Sequence, residues 1–231
     1  MAASTFEECF IVNDDSYGIR LPDTAEGRNS ASMLVKRMYA RRGYAGTRHV
    51  LDEHNRVTLT ANDKNEVVGT ITIGIDSDLG LMADELFKDI LDEHRANGAR
   101  LCECTKLAFD LSERSRVPLA NVFHLALIYA RDLYDCTDVV IEINPRHRRF
   151  YERMLGFRQQ GDLKINPRVN APAYLMHLSL DYVSEQVERL GGTFDTPAGS
   201  AERSLYPYFF SPREERGIIN RLLRMDEHHI S

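Results

Sequence analysis

No apolar run in this 231-residue chain approaches the ~18 residues that a bilayer-spanning helix needs. Residues 1–10 carry Glu7 and Glu8 where a secretory leader would be basic and then apolar, so a cytoplasmic protein is expected. An excess of positive charge is also missing: 29 Lys and Arg stand against 35 Asp and Glu, a formal net charge of −6, which argues against a general nucleic-acid binder. Cysteine is scarce, and the four present, at 9, 102, 104 and 136, lack the paired C-x-x-C spacing of zinc sites. Neither a metal site nor a disulfide scaffold is expected. There is no internal repeat or low-complexity tract, and no glycine between Gly98 and Gly156. What remains, 43% hydrophobic and 28% charged residues, is ordinary globular composition, long enough to bury a proper core.

The most informative stretch is Asp138 to Phe157, which reads as strand, tight helix, strand. Val139, Val140, Ile141 and Ile143 suit a pleated surface. Asn144-Pro145 supplies an N-cap followed by proline at the first helical position, and Gly156 ends the helix. Phe150, Met154 and Phe157 give that helix an apolar face, with Arg146, Arg148, Arg149, Glu152 and Arg153 around the rest.

Ahead of it, residues 10–21 can form a strand, Asp23-Thr24 a cap for a helix towards Arg42, and residues 56–60 and 66–75 two strands joined by Asn- and Asp-rich turn chemistry. A helix is expected from Leu81 to Asn97, a strand from Arg100 to Asp110, and a helix from Pro118 to about Asp135. After the block come a strand over 157–165, a turn over 166–172, a strand over 173–180 and a short helix over 181–190. Gly, Pro, Ser and Thr mark 191–202 as a linker. The aromatic run Leu205 to Phe210 is expected to dock back onto the domain, followed by an amphipathic helix over 213–225. The expected organisation is one domain, residues 1–190, with a C-terminal extension over 191–231.

Strict alternation in the strand from Arg100 places Leu101, Glu103, Thr105, Leu107 and Phe109 on one face, with Cys102, Cys104, Lys106 and Ala108 on the other. Glu103 then lies among apolar neighbours. Desolvation raises the pKa of such a carboxylate towards the value useful in a general base, unless an ion pair to Arg100, Lys106 or a neighbouring strand claims it.

The pattern N-P-x-H-x-x-F-Y-x-x-x-L-G-F, carried by Asn144, Pro145, His147, Phe150, Tyr151 and Leu155-Gly156-Phe157, resembles the last strand-helix-strand unit of the GCN5-related acyltransferase fold. Within that superfamily it resembles the long-chain N-acyl amino acid synthases, relatives of the acyl-homoserine-lactone synthases. The turn Val169-Asn170-Ala171-Pro172 and the E-x-T-K-L-A-x-D run from Glu103 add to the likeness, which extends from about Tyr17 to Leu180.

The resemblance implies an α/β fold, a twisted mixed sheet flanked by helices, whose fourth and fifth strands splay apart to admit an acyl-pantetheine arm. It implies transfer of a long fatty acyl group from acyl carrier protein to the α-amino group of an amino acid, with no further cofactor. Glu103 is then the base and Tyr151 the acid. Tyr39, Tyr44, Thr105, Leu107, Ala108 and Phe109 are the expected substrate contacts, with a backbone N–H near Leu107 to Phe109 on the thioester oxygen. The arginine that homoserine-lactone synthases carry four residues before their first aromatic is Val35 here. Acetyltransferases that use coenzyme A place a glycine-rich loop before the next helix, so that backbone N–H groups approach the pyrophosphate. Without glycine there, Arg114, Ser115 and Arg116 suit the single phosphate of a carrier-bound arm, with Arg148 and Arg149 nearby to meet the carrier. A homoserine-lactone-type signal synthase, a coenzyme A-dependent N-acetyltransferase and a catalytically silent carrier-binding module stay open as other readings.

Overall fold

The computed structural model describes residues 11–13, 17–21, 25–41, 43, 55–63, 66–110 and 116–229. Strands β1 (Val12–Asn13) and β2 (Gly18–Arg20) pair antiparallel. The single strand expected over residues 10–21 is thus two short ones. Helix α1 (Ala25–Ala40) precedes the hairpin arms β3 (Arg56–Asp63) and β4 (Glu66–Ile75), and α2 (Asp84–Ala96) leads to β5 (Leu101–Phe109). Helix α3 (Arg116–Ile128) ends in a π-helical turn over Tyr129–Leu133 rather than running on as α-helix, and β6 (Asp138–Ile143) follows.

Asn144 then opens a 3-10 turn, its Oδ1 accepting from Arg146 N at 3.3 Å, before α4 (Arg148–Leu155). Gly156 closes α4 at φ +84°; a Cβ there would lie 2.6 Å from the Tyr182 ring, so the position is closed to side chains on two counts. Strands β7 (Arg158–Asn166) and β8 (Ala171–Ser179) and helices α5 (Leu180–Leu190), α6 (Pro197–Ala201) and α7 (Pro212–His229) complete the chain. No described helix is long and apolar enough to cross a membrane.

The eight strands form one mixed sheet in the order β1-β2-β3-β4-β5-β6-β8-β7. Every pair is antiparallel except β5 with β6, whose parallel pairing covers only Leu101↔Asp138, Cys102↔Val139 and Glu103↔Val140. Beyond Glu103 the two strands are unpaired with each other, which opens a gap in the middle of the sheet.

The two faces of the sheet are built differently. One face, under α3, buries Leu59, Ile71, Ile73, Cys102, Val139, Met176 and Leu178 against Phe123, Leu125 and Ile128. Each such side chain contributes about 1.5–3 kcal/mol on burial. The other face lies under α1 and α2. Apolar contacts there form two smaller clusters, one joining Leu34 and Val35 of α1 to Ala108, the other joining Phe87 and Leu91 of α2 to Leu101, Val140 and Leu175.

The C-terminal segment packs into the α3 side. Leu205, Tyr206, Phe209 and Phe210 belong to the same buried cluster as α3. Tyr206 Oη donates to Leu155 O at 2.6 Å and Leu205 N to Met154 O at 2.9 Å, so carbonyls at the C-terminal end of α4 find partners there. His124, fully buried, stacks on Phe209 and Phe210 and accepts from Phe210 N at Nδ1 (3.0 Å), which leaves its proton on Nε2 in the neutral ring. Nε2 faces Glu215 Oε1 at 3.4 Å without hydrogen-bond alignment, while Arg131 donates to the same oxygen at 2.7 Å. Burial opposes ionisation of Glu215, but the His124 and Arg131 contacts outweigh it and hold the carboxyl down to about 2.

Candidate active site

Between α1 and α2 the sheet face is lined with polar groups. Register places Arg56 opposite Gly74, Thr58 opposite Thr72 and Thr60 opposite Thr70 on β3 and β4. Glu103 of β5 stands opposite Gly74, and Thr105 opposite Thr72. Directly opposed residues share a face, so these side chains form one polar surface. Thr58, Thr60, Asn62, Thr70, Thr72 and Glu103 are all buried. Thr58 and Thr72 share a hydrogen bond at 2.7 Å, and Thr60 donates to Arg20 O at 3.2 Å. Both amide atoms of Asn62 and the hydroxyl of Thr70 have no partner among the described residues. Buried polar atoms in that condition are rare in folded proteins.

Glu103 is the centre of this surface, with its side chain 3% exposed. Oε1 accepts from Met82 N at 2.9 Å and meets Arg56 Nη1 at 3.4 Å; Oε2 accepts from Ala83 N at 3.1 Å. The carboxylate therefore caps the start of α2, where free N–H groups and the helix dipole favour an anion. Gly74 makes the room: a Cβ there would lie 3.1 Å from Glu103 Cγ. Burial pushes the Glu103 pKa above the usual carboxylate value, against the opposing pull of Met82 N–H, Arg56, Ala83 N–H and Arg168.

The neighbourhood expected for Glu103 needs correcting. Thr70 pairs with Ala108 but Thr72 with Thr105, so Lys106 and Leu107 together stand opposite Ile71, and Lys106 takes φ +51°. This β-bulge reverses the alternation. Leu107 and Phe109 turn to the α3 side, where the Phe109 ring lies over Gly69, so close that a Cβ there would come within 2.2 Å. Ala108 is the residue that joins Glu103 and Thr105 on the α1/α2 face, packed in the cluster that also holds Tyr39. The partners of Glu103 are accordingly Arg56 and two backbone N–H groups, rather than Leu107 and Phe109.

Tyr151 approaches from the other side of the sheet. Its half-buried ring sits edge-on to Phe150, Phe157 and Phe123, at centroid distances of 5.3, 5.7 and 6.4 Å. Glu103 and Tyr151 thus occupy opposite faces, and the gap after Glu103↔Val140 is the opening between the faces. Tyr44, Arg114 and Ser115 lie outside the described residues. Arg116 is exposed at the first residue of α3. Arg148 is held by Glu152 Oε1 at 2.7 Å and Gln159 Oε1 at 2.9 Å, while Arg149 beside it is exposed.

Sequence reading passed over Glu142. On β6 it shares the face of Glu103, and Oε2 accepts from Asn166 Nδ2 and Arg168 Nη2, each at 2.6 Å. Arg168 Nη1 also donates to Met82 O at 2.8 Å and to Glu85 Oε2 at 2.6 Å, joining the β7–β8 turn to the start of α2. The N-P motif is tied to the strand that follows this turn, since Asn144 Nδ2 donates to Pro172 O of β8 at 3.3 Å. The two most distinctive stretches of the sequence therefore brace one site. The available signal was a lone glutamate inside a run of β-branched residues.

A mixed sheet that separates between its two central parallel strands, with a buried carboxylate at the last pair, defines a GCN5-related N-acyltransferase. Solved structures agree: the fold matches an acyl-CoA N-acyltransferase from Pseudomonas aeruginosa (TM-score 0.50, 13% identity, 70% of this chain and 97% of that one). An N-acetyltransferase from Staphylococcus aureus matches similarly (TM-score 0.51, 10% identity, 71% and 98%). At such identities the likeness concerns the fold alone. The structure of FeeM, an N-acyl amino acid synthase from uncultured soil microbes, matches with a TM-score of 0.63 and 30% identity over 71% of this chain and 90% of that one. The signature of the family described as N-acyl amino acid synthase FeeM covers residues 30–179, and the chain belongs to that family. No curated protein matches it by sequence.

Proposed function

We propose that the protein moves a long-chain fatty acyl group from the phosphopantetheine arm of acyl carrier protein to the α-amino group of an amino acid, giving an N-acyl amino acid and the free carrier thiol. The observation that carries this reading is the end of β5–β6 pairing at Glu103↔Val140, with the Glu103 carboxylate buried at the mouth of the gap. An extended thioester arm fits between the unpaired strands, and the acceptor reaches it from the polar α1/α2 face.

An amine attacks a thioester only when neutral. Glu103 takes one proton from the acceptor ammonium, directly or through water; the neutral amine nitrogen adds to the carbonyl carbon, and the C–S bond breaks as the tetrahedral intermediate collapses, the second nitrogen proton passing through water to replace the one that Tyr151 gives up. Tyr151, across the gap, gives its proton to the departing thiolate. A backbone N–H between Leu107 and Phe109, beside the bulge, holds the oxyanion; such a donor is typically worth about 2.7–4 kcal/mol. Tyr39 and Tyr44 border the acceptor, with Thr105 and Ala108 beneath it. Arg114, Ser115 and Arg116 meet the single phosphate, and Arg148 and Arg149 face the carrier. The chain has no glycine between Gly98 and Gly156, which supports a donor without a pyrophosphate.

Reconstitution tests the reading. Purified protein, long-chain acyl carrier protein and a mixture of amino acids should yield N-acyl amino acids by mass spectrometry, with release of the carrier thiol. A lactone formed from S-adenosylmethionine, or an N-acetyl product formed from acetyl-coenzyme A alone, overturns it. Carrier binding without any product would make the protein a binding module.

A further inference from the structure

Glu142 lies two residues past Val140, the last β6 residue paired with β5, so it lines the β6 edge of the gap on the face that carries Glu103 and Thr105. Its two oxygens are unequal. Oε2 takes two short charge-assisted or amide bonds, from Arg168 and Asn166, whereas Oε1 is buried and has no partner among the described residues. An ionised oxygen removed from water without a donor is costly, so this atom calls for a donor from outside the described residues.

The surrounding charges point the same way. Facing Glu142 are Arg168 from the β7–β8 turn, Glu103 from β5 with its partner Arg56 from β3, and Glu85 from α2 through Arg168. Lys164 of β7 is turned away, its ammonium on Leu86 O and near Asp89 Oδ1. Among the described residues two guanidinium groups thus meet three carboxylates, one negative charge in excess. Burial raises the Glu142 pKa, with the charge of Glu103 adding to the effect and Arg168 and Asn166 opposing it.

The geometry points to Glu142 Oε1 as the atom that binds the α-ammonium group of the amino-acid acceptor, beside the base Glu103. This rests on the amino-acid reading of the site. The acceptor arrives as a cation and supplies both the missing positive charge and the missing donor. One N–H is held by Oε1 of Glu142 while another proton passes to Glu103, and the nitrogen lone pair is freed towards the gap. Glu142 fixes the nucleophile and does not itself need to change protonation state during turnover.

Steady-state kinetics with varied amino acid and fixed saturating donor tests this. Glu142→Gln keeps an oxygen for Asn166 and Arg168 but replaces Oε1 by a donor. The KM for the amino acid is expected to rise about tenfold or more, with the KM for the acyl donor unchanged. Arg168→Gln breaks the same bracing network yet leaves the carboxylate in place, and it should keep the amino-acid KM within about threefold. Glu142→Asp, with the charge drawn back by one methylene, should restore part of the loss. If Glu142→Gln, folded by its melting curve, retains a normal amino-acid KM while Glu103→Gln loses turnover, this inference falls and the proposed reaction stands. Equal rises in Glu142→Gln and Arg168→Gln make the role structural and also overturn it. Should the wild-type protein acylate no amino acid, the functional reading itself fails, whatever the variants do.

Discussion

The two faces of β5 follow opposite rules. Towards α3, Cys102 and Cys104 sit in a dry cluster with Ile71, Ile73 and Val139, and burial there is stabilising hydrocarbon contact. Towards α1 and α2, one residue along the same strand, Glu103 is buried with a raised pKa among threonines, and Asn62 and Thr70 carry unpartnered polar atoms. A single strand therefore serves the core on one side and a site on the other. Stability argues for the first face and against the second, and the proposed reaction is placed on the second.

Leu125→Ala on the dry face is expected to have the largest effect on folding, about 2–5 kcal/mol, because Leu125 is fully buried and the cavity collapses only in part. Denaturant unfolding measures it. Turnover per folded molecule should be unchanged; a fall in kcat would blur the division between the faces.

How much of this was legible beforehand depends on the range of the interactions. The block from Asp138 to Phe157 carries its own local grammar, and the Asn144 cap, the Pro145 turn and the left-handed Gly156 all appear where composition places them. The position of Glu103 was readable from its neighbours, but its surroundings were not. Alternation assumes an unbroken register, and the bulge at Lys106, which sends Phe109 to the other face, depends on pairing with β4. Glu142 was passed over because its meaning lies in Arg168, 26 residues away. His124 likewise gains its role only from Phe210, 86 residues on.

On the polar face the comparison sharpens through Thr58 and Thr72. Thr72→Val strands the Thr58 hydroxyl and should cost about 1–3 kcal/mol, whereas the double change Thr58→Val with Thr72→Val removes both partners and should recover most of it. Urea titration of the three proteins distinguishes a satisfied pair from mere bulk. If the double variant is no more stable than the single, the hydroxyls serve a further partner on this face.

The smallest effect concerns neither face but the donor's approach. Arg116→Glu, exposed at the start of α3, should raise the KM for acyl carrier protein a few-fold, about threefold to tenfold, and weaken its salt dependence. A free acyl-pantetheine donor should be little affected. Equal losses with both donors would assign Arg116 to the fold or the chemistry.

The pH profile of kcat/KM for wild type and Glu103→Gln tests the central claim most directly. Glu103 must be ionised to accept a proton, and burial has raised its pKa, so wild-type activity should fall with acidification through a limb lying above the usual carboxylate value. Glu103→Gln leaves Met82 N or Ala83 N facing an amide NH2 and should lose about 1–3 kcal/mol of stability, so rates are taken per folded molecule. The account predicts that the acid limb vanishes in Glu103→Gln and that turnover drops roughly 10²-fold or more. Near-normal turnover of Glu103→Gln from about pH 6 to about pH 9 would contradict it.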